Sequence, residues 1–242
     1  MLLEICAFNL PSALIAQAAG ADRIEFCTGP QEGGVTPSAG LIRMARQKLS
    51  IPLYPIIRPR DGDFLYSDDE YRVMLDDIAI CKAAGCDGVV VGMLLADGNV
   101  DRERCARLVE RAYPMGVTFH RAFDRAIHPL EAMETILAIG CERILTSGQR
   151  PVATEGVELL SGLVREADGR IVIMPGSGVR ASNIAELAAK TAAVEFHTSA
   201  RMPQPSAMAF VNGAMREDAF MVMVDEDEIR RIKAELAKLG GG

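Results

Sequence analysis

AAGADRIEF, residues 18–26, returns three times with the same grammar: AAGCDGVVV at 83–91, AIGCERILT at 138–146 and AAKTAAVEF at 188–196. Each copy reads as a helix end, a short turn and the start of a strand. In the first three, Gly20, Gly85 and Gly140 stand where a helix C-terminus wants a left-handed residue. Between the copies, helical patterning covers 11–19, 37–49, 67–84, 101–113, 129–139, 154–167 and 182–189. Strand patterning covers 2–8, 23–28, 53–59, 88–93, 116–123, 143–147, 170–175 and 193–199. Eight strands alternating with helices make parallel βαβ units, and eight such units close on themselves. The expectation is an α/β chain folded as a TIM (β/α)8 barrel, one domain over residues 1–242. An open doubly wound sheet would need strands apolar on both faces, and these strands are not. Beyond the eighth strand, 201–224 reads as an irregular excursion holding five of the 12 methionines, packed on the barrel or on a partner subunit. A final helix is expected at 225–239, its acidic start suiting a helix N-terminus.

Composition narrows the classes. The 242 residues are 49% hydrophobic, enough for one large core, and carry 33 acids against 26 Lys and Arg, a net charge of −7. There is no basic cluster and only 5% aromatic content, which argues against a nucleic-acid surface. The longest apolar runs, such as 88–96, are too short to span a bilayer. The chain enters a strand at once, without the charged and apolar regions of a signal peptide. Six cysteines without a CxxC motif read as the reduced thiols of a cytoplasmic protein.

Side chains alternate across a strand, so parity sorts the faces. In LEIC (3–6), Leu3 and Ile5 oppose Glu4 and Cys6; in IEFC (24–27), Ile24 and Phe26 oppose Glu25 and Cys27. In VEFH (194–197), Val194 and Phe196 oppose Glu195 and His197. The outer face of a barrel strand packs on helices, so the polar set points inward. Thr118, His120 and Arg58 extend that set, with Arg60 following. An ordinary barrel interior is layered with Val, Ile and Leu, and burying this many ionisable groups is expensive unless they pair or serve a site. The candidate catalytic cluster is therefore Glu4, Glu25, Arg58, His120, Glu195 and His197. The competing reading is an internal salt-bridge network between Arg58 and the glutamates. His128, just before Pro129, reads instead as a helix start.

The loops add an anion signal. Gly176, Ser177 and Gly178 follow the seventh strand, and Ser199 follows the eighth, where many barrels hold a phosphate on backbone N–H groups. Ser147 and Arg60 complete the candidate substrate- or phosphate-binding residues. EGGVTPSAG (32–40) is a long glycine-rich loop placed to lie over the barrel mouth.

EGGVTPSAG, IRPRDGDFLYSDDE (57–70), VTFHRAFD (117–124), RILTSG (143–148), MPGSGV (174–179) and EFHTSAR (195–201) together resemble the CutC family of copper homeostasis proteins. The resemblance runs from residue 3 to about residue 201. After HTSAR the chain reads SAMAFV, with Ala207 and Val211 where the family tends to differ. The resemblance implies a cytosolic TIM barrel, a homodimer or higher homo-oligomer, with Cys6 and Cys27 matching residues proposed in the family as Cu(I) ligands. Two functions follow: Cu(I) binding by that cysteine pair, or an enzyme on a small phosphorylated or hydroxylated metabolite. The Glu, His and Arg cluster suits the second, whether lyase, isomerase or hydrolase, and its Glu and His residues would also suit a harder divalent metal.

Overall fold

A computed structural model describes residues 1–215 and 220–239. Eight parallel strands form the interior: β1 (Leu2–Ala7), β2 (Arg23–Phe26), β3 (Leu53–Pro55), β4 (Gly88–Val91), β5 (Gly116–Phe119), β6 (Arg143–Thr146), β7 (Val172–Pro175) and β8 (Glu195–Thr198). Helices follow them in turn: α1 (Leu10–Ala18), α2 (Ala39–Lys48), α3 (Asp68–Ala84), α4 (Arg102–Ala112), α5 (Pro129–Ala138), α6 (Val157–Ala167) and α7 (Ile184–Thr191), with α8 (Glu226–Leu239) closing the circle. Hydrogen bonding divides the strands into two sheets of four, β3-β2-β1-β8 and β4-β5-β6-β7. A single parallel bridge, Ile56 to Val90, joins them at one seam, and β7 lies alongside β8 at the other. This is the expected TIM-barrel arrangement.

Local sequence explains the elements. Ser67 caps α3 through a full capping box, its hydroxyl accepting from the Glu70 N–H while the Glu70 carboxylate accepts from the Ser67 N–H. Gly85 ends α3 at φ 80°, as the repeated Gly predicted. The outward strand residues Leu3, Ile5, Ile24, Phe26, Val89, Val91, Phe119, Ile144 and Phe196 are fully buried against the helices and form the main core. A second, smaller apolar cluster of Cys6, Cys27, Tyr54, Ile56 and Val90 sits inside the strand ring.

The segment read as irregular carries order at both ends. β9 (Arg201–Pro205) and β10 (Phe220–Val224) pair antiparallel. Two prolines in β9 masked its strand character, since proline is tolerated only at such edges. Met223 and Val224 are buried, and the Ser12 hydroxyl of α1 meets Met223 Sδ at 3.6 Å. Met202, Phe220 and Met221 stay exposed. Among the described residues no helix is long and apolar enough to cross a membrane.

Candidate functional site

The inward faces carry a chain of opposite charges. In register, Glu4 of β1 stands opposite Arg23 of β2 and His197 of β8. Arg23 Nε donates to Glu4, and Arg23 Nη2 donates to Glu195 Oε2 at 2.6 Å. Glu195 Oε2 also accepts from Arg143 Nε at 3.1 Å, and Arg143 Nη1 donates to Thr118 Oγ1 at 3.2 Å. Both guanidinium groups lie over the Tyr54 ring, Arg23 at 5.3 Å and Arg143 at 5.4 Å from its centroid. Glu4 Oε1 also meets His197 Nδ1 at 2.7 Å, and His197 Nε2 stands 3.6 Å from Glu25 Oε2. A salt-bridge network among the glutamates thus exists, but its cations are Arg23 and Arg143, not Arg58. Parity would have found both, for Arg23 shares the face of Glu25 and Arg143 that of Leu145; their place at the strand starts hid them.

Arg58 is buried and turned to the loops. Its Nη1 donates to the carbonyls of Glu32 at 2.7 Å and Gly34 at 2.9 Å, and its Nη2 to that of Gly62 at 3.2 Å. It therefore straps the glycine-rich loop across the mouth. Gly34 needs to be glycine there: φ is 98°, and a Cβ would come 3.3 Å from Cys27 Sγ.

The two thiols are buried with Sγ atoms 3.7 Å apart. The sequence placed them at equivalent positions on adjacent strands. The register instead sets Cys6 opposite Glu25, while the Cys27 N–H bonds the Ala7 carbonyl beyond it. Barrel closure staggers neighbouring strands, and the stagger brings the thiols together with Glu25. One atom each from Cys6, Glu25 and Cys27 lies within 4.8 Å of the others.

Burial and pairing set the charges. Burial opposes ionisation of Glu4, but Arg23 and His197 outweigh it and hold its carboxyl at about 2. Burial likewise works against an imidazolium at His197, yet its contacts with Cys6, Glu25 and Glu4 raise it well above the usual histidine range. Burial raises Glu25, and it pushes the Cys27 thiol up to about 12. Cys6 is raised well above normal by its bond with Cys27 and by burial. Both thiols carry protons at neutral pH, so a metal must displace them.

His120 faces the same mouth from β5's end. Its Nδ1 accepts from the Ala122 N–H at 3.1 Å, and its Nε2 is buried without a partner. Burial, then Arg58, push it down to about 3, so it is neutral. Gly92 makes room for it, since a Cβ there would stand 2.5 Å from the ring.

A cavity of about 820 Å³ opens above these groups, lined by Cys6, Glu25, Arg58, His120 and His197 among others. Ser177, Gly178 and Ser199 stand on its rim. Gly176 lies deeper, where a Cβ would meet Leu145 at 2.4 Å. Ser147 is fully buried, its hydroxyl engaged with Asp124 Oδ2 and Arg121 Nη2, both at 3.0 Å. Arg60 lies away from the cavity, paired with Glu70 at 2.5 Å and Asp63 at 2.9 Å. Asp124 and Arg121, which sequence reasoning passed over, do line the cavity; the RAFD of the quoted motif was their signal. His128 precedes α5 as expected, though its side chain makes no capping bond.

Residues 1–202 match the model of the CutC family. A family protein CutC of Chromobacterium violaceum is 51% identical over 214 residues, 88% of this chain and 87% of that protein. A human protein named copper homeostasis protein cutC homolog is 47% identical over 214 residues, 88% of this chain and 78% of its own length. The crystal structure of a CutC protein from Streptococcus agalactiae superposes with a TM-score of 0.79 at 32% identity, covering 82% of this chain and 98% of that one. Phosphoribosyl anthranilate isomerase from Thermotoga maritima, at 16% identity and a TM-score of 0.63, covers 98% of this chain and all of its own, and shares the fold alone. The chain belongs to the CutC family.

Proposed function

We propose that this is a copper-homeostasis protein that takes Cu(I) as its cargo on Cys6 and Cys27. The observation that carries the reading is the pair of thiols 3.7 Å apart, of which Cys6 lines an accessible cavity. Soft sulfur ligands select Cu(I) over the harder cations of the cell. Coordination releases both thiol protons to solvent. The test is an anaerobic Cu(I) titration against a competing chelator. Wild type should bind one Cu(I) tightly, and the Cys6→Ser, Cys27→Ser double variant should lose that binding; equal affinity in both sinks the proposal.

The reading places the protein in the cytoplasm, where thiols stay reduced, and as a homodimer. The bare half of the β9–β10 hairpin, with Met202, Phe220 and Met221 exposed, supplies the apolar contact. Light scattering on Phe220→Ser, Met221→Ser protein should then report a monomer where wild type is dimeric.

The size of the cavity favours a second reading, an enzyme on a small anionic metabolite. About 820 Å³ exceeds the need of one ion, and Arg121, Arg180 and Arg201 line it with the rim groups Gly178 and Ser199. His120 Nε2, which carries the ring proton because Nδ1 accepts from Ala122, is a buried donor without a partner among the described residues. Thermal stabilisation by millimolar phosphate, lost in Arg180→Ser protein, would support it.

A further inference from the structure

Four of the cysteines lie away from the cavity, and two of these meet at the end of α3. Gly85 closes that helix in a Schellman turn: the Gly85 N–H bonds the Lys82 carbonyl and the Cys86 N–H the Cys81 carbonyl, both at 3.1 Å. In such a turn the side chains of the two residues joined by the outer bond commonly pack on each other. The repeated glycines make the same turn elsewhere. At Gly20 the outer bond joins Ala21 to Ala16 at 3.0 Å, and at Gly140 it joins Cys141 to Ile136 at 3.3 Å. Of the three, only the turn at Gly85 sets a thiol on both sides. Cys81 is 0% exposed and Cys86 6%, but Cys86 lies between the exposed Gly85 and Asp87. A small oxidant can reach it there from the surface.

The two sulfurs are not alike. Of the six cysteines, Cys86 alone is shifted below its ordinary value. Its contact with Cys81 is the largest cause, and the nearby Arg46 guanidinium adds to it, against burial and Asp87. Arg46 is fixed in place by Asp87 and by the Leu49 carbonyl at 2.6 Å. Cys81 is driven the other way by its contact with Cys86 and by burial, with Asp77 adding to both. The proton between the sulfurs therefore belongs to Cys81, and negative charge gathers on Cys86. A thiolate-prone cysteine beside a second thiol is the arrangement in which oxidation stops at a disulfide.

We propose that Cys86 is a peroxide-reactive thiol and Cys81 its resolving partner, so that the end of α3 and the approach to β4 become joined by a reversible disulfide. The Cys86 thiolate attacks one oxygen of hydrogen peroxide, the O–O bond breaks, and the departing hydroxide takes a proton to become water. Sulfur is left as a sulfenic acid. Cys81 then gives up its proton and attacks that sulfur, and the sulfenic hydroxyl leaves as a second water. Two thiols are oxidised and one peroxide is reduced. A thiol reductant such as glutathione reverses the bond by exchange. The pair is distinct from Cys6 and Cys27, which lie toward the other end of the strands.

Lys82 stands between the two cysteines, so trypsin reads the bond directly: peptides 73–82 and 83–102 stay joined only where Cys81 and Cys86 are linked. The test takes the full chain, reduced and metal-free, adds one equivalent of hydrogen peroxide, blocks with iodoacetamide and maps the digest by mass spectrometry. Wild type should give the joined peptides as its main product, formed roughly tenfold faster than any Cys6–Cys27 link, and dithiothreitol should separate them. Cys81→Ser should strand Cys86 as a sulfenic acid, trapped as a dimedone adduct on peptide 83–102. Cys86→Ser should give no adduct at Cys81. Wild type that consumes peroxide while both peptides stay separate and alkylated overturns the proposal. So does a joined pair that forms only in urea, and an adduct at Cys81 in Cys86→Ser protein overturns the assignment of roles.

Discussion

Replacing Arg23 by Met should cost more than any other single change to a charged residue in this molecule. Arg23 is the cation shared by Glu4 and Glu195, and Glu4 is 0% exposed. Met fills much of the same space, so the loss is electrostatic: one buried carboxylate keeps only His197, and the other only Arg143. Removing one partner of a buried pair costs about 3–5 kcal/mol. In a chain this long, that is a drop in Tm of roughly 6–20 °C. The carboxyl of Glu4 points the same way: Arg23 and His197 together hold it at about 2 against the burial that raises it. The pH dependence follows from the sign of the shift. Glu4 is depressed in the folded state, so its contribution is complete above about pH 4.5 and fades as the pH falls toward 2. The gap between wild type and Arg23→Met should be widest near neutrality and narrow through that window. Thermal unfolding followed by circular dichroism across pH measures it, with Arg72→Met as control: the Arg72–Asp69 pair is exposed and should contribute under about 1 kcal/mol. A loss below about 1 kcal/mol for Arg23→Met at pH 7 would refute the account.

Gly92→Ala should destabilise by about 1–3 kcal/mol, because its Cβ would lie 2.5 Å from a ring anchored on the Ala122 N–H; in a His120→Ala background most of that cost should vanish, and a persistent cost would assign it to the backbone. His120 is depressed to about 3 against 6.5, so the unfolded chain takes the proton first and stability falls as the pH drops below 6.5. Between pH 7 and 5, wild type should lose about 2 kcal/mol more than His120→Gln in urea unfolding; parallel curves would contradict the burial argument.

How far the sequence reached differs between the two halves of the problem. The helix-turn-strand repeat with Gly20, Gly85 and Gly140 led to the barrel because each copy states one local rule, and all three glycines adopt the left-handed conformation expected. Strand parity led to Glu4, Glu25, Cys6 and Cys27 because alternation is a local property too. The partners were out of reach because they depend on register. Cys6 opposes Glu25 through a stagger that only eight closed strands impose, and Arg58, expected at the glutamates, is drawn off by three loop carbonyls. Arg23 and Arg143 were legible by parity but sat at strand starts, where boundaries are least sharp. The β9–β10 hairpin was hidden by Pro203 and Pro205.

The two half-sheets carry a consequence for how the chain could be rewired. Sheet β3-β2-β1-β8 draws on both ends of the polypeptide, whereas β4-β5-β6-β7 is one unbroken run. The bond from Arg143 on one half to Glu195 on the other crosses the β7/β8 seam, so a side-chain clasp acts there where backbone pairing does not. A circular permutant opened between α3 and β4, with the original termini joined by a linker, would make each half contiguous. Its halves, expressed as separate fragments, should then find one another through that clasp, and a fragment carrying Glu195→Gln should reassociate less well.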